Sequence, residues 1–265
     1  MFNWFKKEVK LVCFDIDNTL CDFASAEIET EACVAELISK DIKKLQLKIK
    51  KRNVVKNTCS AFTILKVFSE VKRLHLFRDC EPATYSRMIW FKETLERLDD
   101  TMDLGISINS LILNAESYEI KYWITINKLL KNYPTAVSTL ENLKSKGLKL
   151  ATITDSDGKR GIKDGRMKLL GLDRYFDYII TGDETGFNKP AIENWNKLLE
   201  LSKLKGKQCV MVGDHPDVDL MTAKKLGLIT VWTKQSLNMD LHQNYVDYEI
   251  HDIGEIIGLV EKINS

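Results

Sequence analysis

The chain has 265 residues, 44% of them hydrophobic and 29% charged, with a formal net charge of +1. That length suits one large domain or two ordinary ones, and the near-neutral balance supplies no general attraction for nucleic acid or an anionic membrane. No apolar run reaches bilayer-spanning length, and Met1–Lys7 lacks the apolar core of a leader. Six scattered cysteines without a Cys-x-x-Cys pair fit a reducing, cytoplasmic setting.

In chain order, a short apolar run over Lys10–Phe14 predicts a buried strand, and it ends in two carboxylates, Asp15 and Asp17. From Phe23 to Lys131 the pattern is helical. Ala32, Ala35, Ile38, Ile42, Leu45 and Ile49 recur at steps of three and four. Phe62, Leu65, Phe68, Val71 and Leu74 repeat this, and Met88, Phe91, Leu95 and Leu98 resume it after Pro82. No strand signal interrupts the block, so residues 23–131 are expected to be an all-helical insert. Residues 1–22 and 132–265 are expected to form the core.

From Pro134 helices and strands alternate. Strands are expected over Leu148–Thr154, Tyr178–Thr181, Cys209–Gly213, Leu228–Trp232 and Tyr248–Ile250. Pro190 is placed where a helix begins. Repeated βα units imply an α/β fold with a doubly wound parallel sheet.

Ligands of such sheets bind beyond the carboxyl ends of the strands. Four strand ends here deliver polar groups: Asp15 and Asp17, Thr154 and Asp155, Lys189, and Gly213-Asp214 with Asp219 downstream. Each fragment alone has an ordinary reading as a turn, a helix cap or a solvated lysine. Together they suit phosphoryl transfer through a carboxylate nucleophile. Asp15 would attack phosphorus, and Asp17 would protonate the leaving alcohol and later activate water. Asp15 and Asp214 would bracket Mg²⁺, with the backbone carbonyl near Asp17 completing the protein ligands. Thr154, backbone N–H groups near Asp155, and Lys189 would hold the phosphate oxygens.

The quartet Phe14-Asp-Ile-Asp-Asn-Thr-Leu20, Ile153-Thr-Asp155, Lys189-Pro190 and Gly213-Asp214…Asp219 resembles the four motifs of the haloacid dehalogenase superfamily. The resemblance implies a Rossmann-like core with an inserted helical cap. It also implies Asp15 as nucleophile, Asp17 as acid/base, Thr154 and Lys189 on phosphate, Asp214 on Mg²⁺, and Asp219 supporting the metal or Lys189. More narrowly, Gly186-Phe-Asn-Lys-Pro190 and Val210-Met-Val-Gly-Asp214 look like archaeal phosphatases for glyceraldehyde 3-phosphate, and Tyr118-Glu-Ile-Lys121 is similar to that group. The chain departs from them at Ser156-Asp157 and at Ala191-Ile192.

The expected partner is a small phosphorylated metabolite, with Arg87 and Lys121 the foremost cap residues to meet it, and Arg78 and Tyr85 behind them. A phosphomutase uses the same Asp-x-Asp pair. A nucleic-acid-binding scaffold would draw on the basic run Lys43–Lys56, which reads more simply as a solvated helix face.

Overall fold

The computed structural model describes residues 8–49, 59–76, 80–102, 104–236 and 243–265. Six parallel strands form one sheet in the order β3-β2-β1-β4-β5-β6. They are β1 (Leu11–Phe14), β2 (Lys149–Thr154), β3 (Tyr178–Thr181), β4 (Cys209–Gly213), β5 (Ile229–Thr233) and β6 (Tyr248–Ile250). Strands β1, β4 and β5, all interior to the sheet, are wholly buried, which explains why their sequences are largely apolar without alternation.

Successive residues of each strand serve opposite faces. On one face Val12, Phe14, Leu150, Val210 and Val231 pack with residues of α6 (Ala136–Ser145) and α11 (Glu255–Asn264). On the other Leu11, Cys13, Ile153, Met211 and Trp232 pack with Trp195 and Leu198 of α9 (Glu193–Ser202). Cys13 and Cys209 are thus small core side chains. Helix α7 (Ile162–Leu169), the single-turn α8 (Gly182–Thr185) and α10 (Met221–Lys225) complete the core. The sequence-predicted helix start at Pro190 falls three residues early: Lys189-Pro190 is a cis peptide, and α9 opens at Glu193.

Between β1 and α6 stand α1 (Phe23–Ile49), α2 (Ala61–Leu76), α3 (Arg87–Thr101), α4 (Asn109–Ile112) and α5 (Ala115–Leu129). Helix α1 packs on α2 and α5, and α3 packs on the same two, which closes a four-helix ring. Aromatic residues fill it. The rings of Phe68 and Phe91 stack at 4.8 Å, and Tyr118 and Tyr122 meet the edge of Phe91. The expected basic run lies partly on exposed positions of α1 (Lys43, Lys44, Lys48), and its remainder falls outside the described residues. No helix among the described residues is long and apolar enough to cross a membrane.

Leaving β1, the chain passes through the helical cap to β2 and β3, then returns to β4 on β1's other side. The strand order therefore reverses between β1 and β4, which opens a crevice above their carboxyl ends.

Candidate active site

Asp15 stands at that crevice. Its N–H continues the ladder to the Val212 carbonyl (2.9 Å), so the first residue past β1 is still held by β4. The chain then turns through Asn18, which adopts a left-handed φ of 61°. The Asn18 side chain accepts the Ala24 N–H at 2.7 Å and caps α1. Asn18 shares the capping of α1 with Asp22, which accepts the Ser25 N–H at 3.1 Å, while Asp15 and Asp17 are left for the crevice.

Lys189 reaches into the crevice from the loop after β3. Its Nζ donates to Asp15 Oδ1 at 2.5 Å and to Asp219 Oδ1 at 2.7 Å. Its backbone N–H donates to Asp155 Oδ1 at 2.7 Å, so the Asp155 carboxylate orients the lysine loop. Asp219 lies in a turn of π-helix, Pro216–Leu220, and its Oδ2 accepts the His215 N–H at 2.9 Å. A Cβ on Gly213 would lie 2.4 Å from Asp219, so only glycine lets that carboxylate settle against the end of β4. Trp232 Nε1 donates to the Asp214 carbonyl (2.9 Å), pinning the same loop from β5.

Oxygen atoms of Asp15, Asp214 and Asp219 lie within 4.8 Å of one another, all three residues buried. Lys189 alone does not neutralise them. Burial, with Asp219 and Asp17 nearby, pushes the Asp15 carboxyl up to about 7 against the pull of Lys189. Burial, then Asp219 and Asp15, hold Asp214 well above the usual carboxylate range. Burial opposes the charge on Lys189, but Asp15, Asp219 and Asp155 outweigh it. An under-neutralised set of hard oxygen donors fits a divalent cation such as Mg²⁺. Beside it, the buried Thr154 hydroxyl has no hydrogen-bond partner, an unmet donor suited to a phosphate oxygen.

Asp17 has a different setting. Arg166 grips it through two hydrogen bonds, Nη1 to Oδ1 and Nη2 to Oδ2, both 2.8 Å, and Lys163 Nζ reaches Oδ2 at 2.5 Å. Burial would raise the Asp17 carboxyl, but Arg166 and Lys163 prevail and hold it far below the usual range. Asp157 completes the group, accepting from Arg166 Nε at 2.9 Å and pairing with Lys163 at 3.3 Å. The Arg166 guanidinium lies 4.8 Å from the Phe23 ring centroid, so a cap side chain covers it. Sequence reasoning missed Lys163, Arg166 and Asp157. Their one signal is a pair of cations three apart on α7, which reads equally as a solvated face.

These groups floor a cavity of about 300 Å³ roofed by the cap, with Phe23, Glu27, Lys72, Tyr85, Arg87 and Trp90 on the cap side. Arg87 lies over the Trp90 ring at 4.3 Å and donates to the Tyr85 carbonyl at 2.8 Å. Lys121, expected beside Arg87, is not brought to the cavity. Helix α5 buries Tyr118 and Tyr122 instead and leaves Lys121 half-buried at its side. Arg78 falls outside the described residues.

Residues 9–227 match the family of haloacid dehalogenase-like hydrolases. A glyceraldehyde 3-phosphate phosphatase of Methanocaldococcus jannaschii is 37% identical over 138 residues, 52% of this chain and 60% of that protein. The match thus spans about three fifths of that relative's length. A ribulose-1,5-bisphosphate 5-phosphatase of Halopiger xanaduensis is 28% identical over 67% of this chain and 74% of its own. Among solved structures, a HAD phosphatase from Thermococcus onnurineus superposes with a TM-score of 0.65 at 26% identity, covering 95% of this chain and 98% of that one.

Proposed function

Because the chain belongs to the haloacid dehalogenase-like hydrolase family, we propose that it is a Mg²⁺-dependent phosphomonoesterase working through an aspartyl-phosphate at Asp15. One observation carries this reading. A strand-end carboxylate lies 2.5 Å from a buried lysine and within a three-carboxylate cluster, beside an unpartnered threonine hydroxyl.

Asp15, Asp214 and Asp219, with the Asp17 backbone carbonyl, are the residues that would hold the ion. Bound there, Mg²⁺ supplies charge neutralisation between an anionic nucleophile and an anionic phosphoryl group. Lys189 and the Thr154 hydroxyl hold the non-bridging oxygens as charge spreads over them. Asp15 forms a bond to phosphorus as the ester P–O bond breaks, and the leaving oxygen takes a proton. Water then attacks phosphorus, loses a proton, and releases phosphate and a free Asp15. Asp17 is the acid/base of both halves. Gripped by Arg166 and Lys163 through both oxygens, it is held as a weakly basic carboxylate, so it must loosen that grip to take the proton of the attacking water. The same loosening lets it carry and deliver a proton to a leaving alcohol.

The substrate is a small phosphorylated metabolite. Glyceraldehyde 3-phosphate or a similar sugar or acid phosphate is the best fit, on the strength of the Methanocaldococcus relative. The test is hydrolysis of an aryl phosphate with and without EDTA. Turnover that is lost with EDTA and restored by Mg²⁺ supports the reading. Turnover that survives EDTA, or survives Asp15→Asn, refutes it.

A further inference from the structure

Seven carboxylates and four cationic side chains line the cavity among the described residues. The cations are Lys72, Arg87, Lys163 and Lys189, and each is already ion-paired. Lys189 is shared by Asp15 and Asp219, and Lys163 by Asp17 and Asp157. On the cap side Lys72 pairs with Glu27 at 2.6 Å and Glu31 at 2.8 Å. Arg87 Nη2 reaches the same Glu27 at 3.4 Å, and its Nη1 is bound to the Tyr85 carbonyl. Glu27 also accepts the Tyr122 hydroxyl at 2.8 Å. One cap carboxylate thus binds both cap cations that face the reacting centre.

We propose that Glu27 is a specificity determinant that rejects substrates carrying a second anionic group. The favoured class is phosphomonoesters whose remainder is uncharged and bears hydroxyl or carbonyl groups. This inference rests on the phosphatase reading above and narrows it.

The argument is one of pairing. A phosphate at Asp15 has Lys189, the Thr154 hydroxyl and the metal ligands to receive it. A carboxylate or second phosphate on the far side would enter a low-dielectric cavity beside Glu27. It would find no cation there without an ion-pair partner among the described residues, since Arg87, whose Nε has no hydrogen-bond partner, already faces Glu27. Burying a charge without a partner is expensive, and placing it against a like charge adds to the cost. An uncharged hydroxyl meets no such penalty, and Glu27 is an ionised acceptor for it. Burial would raise the Glu27 carboxyl, but Lys72 and Arg87 outweigh it and hold it below its ordinary value. Glu27 thereby also sets the orientation of Arg87, whose guanidinium is braced on Trp90 at 4.3 Å and Trp123 at 5.0 Å.

The experiment measures kcat/KM of the full chain with Mg²⁺ on four compounds: an aryl phosphate, glycerol 1-phosphate, phosphoglycolate and diphosphate. The wild type is expected to favour glycerol 1-phosphate over phosphoglycolate by about tenfold or more, with diphosphate equally disfavoured. Glu27→Gln removes the ion-pair partner of Arg87 and leaves Lys72 to Glu31 alone, and should narrow that ratio about tenfold by gaining on phosphoglycolate. Lys72→Met leaves Glu27 less compensated and should widen the ratio, so the test stands even if Glu27→Gln fails to fold. A wild-type preference for phosphoglycolate or diphosphate overturns the proposal, as does a ratio that a folded Glu27→Gln leaves unchanged. Failure to hydrolyse even the aryl phosphate refutes the phosphatase reading itself and the inference with it. Turnover of the aryl phosphate with the wrong order among the others refutes the inference alone.

Discussion

Asp15 has conflicting roles in folding and chemistry. Its carboxyl titrates near 7 in the folded chain, because burial and neighbouring aspartates outweigh Lys189. An unfolded aspartate titrates near about 4. The folded state therefore holds an extra proton between those values, and stability falls as pH rises through that window. The penalty is absent below about 4 and complete above about 7. Without metal, Asp15→Asn should be more stable than wild type at pH 8, on the order of 1–3 kcal/mol, with the gap closing towards pH 4. Urea midpoints of both proteins across that range in EDTA check this. A gap that grows on acidification would reverse the sign and contradict it. The same substitution should abolish turnover, since no nucleophile remains.

Among the elements, the interior strands β1 and β4 were open to a reader of the sequence because burial on both faces leaves them almost uniformly apolar. The motif residues were open for a related reason: Asp15, Thr154 and Asp214 each stand at or just beyond the end of such a run. What sequence could not supply is pairing between elements. Lys163 and Arg166 lie on a short helix with few apolar residues, and only its docking beside Asp17 turns them inward. Glu27 and Lys72 belong to separate helices, and the four-helix ring decides that they meet. Pro190 misled because a proline before a helical stretch has the same local signature whether the helix starts at once or three residues later.

The loop after β2 meets the cap at Gly158. That residue has φ +84°, and a Cβ there would lie 2.1 Å from the Ser86 backbone nitrogen. The contact is backbone against backbone, so no side chain can swing aside. Gly158→Ala should hold cap and core apart and lower kcat/KM about tenfold or more through misplaced closure, without touching any catalytic group. Small-angle scattering should show a larger radius of gyration. Unchanged kinetics and radius would mean the two loops part at little cost.

At the scale of the molecule, the helical cap and the sheet meet over the reacting groups. Arg166 of the core lies against Phe23 of the cap, Lys159 pairs with Glu116, and the Asn188 N–H donates to the Cys80 carbonyl at 2.6 Å. Asn188 is fully buried. Its side-chain oxygen accepts the Ser156 N–H at 2.8 Å, which ties the loop after β2 to the loop that carries Lys189. One residue, the chain neighbour of Lys189, therefore touches both the cap and the loop after β2.

That hydrogen bond to Cys80 makes the Asn188 amide a clock for the cap. Its proton can trade with solvent only when the cap lifts, so its deuterium uptake counts openings rather than global unfolding. Mg²⁺ with an unreactive phosphate mimic should slow uptake at Asn188 while leaving the amides of β4 unaltered. Exchange at Asn188 that follows β4 under every condition would mean that the cap opens only when the whole chain unfolds.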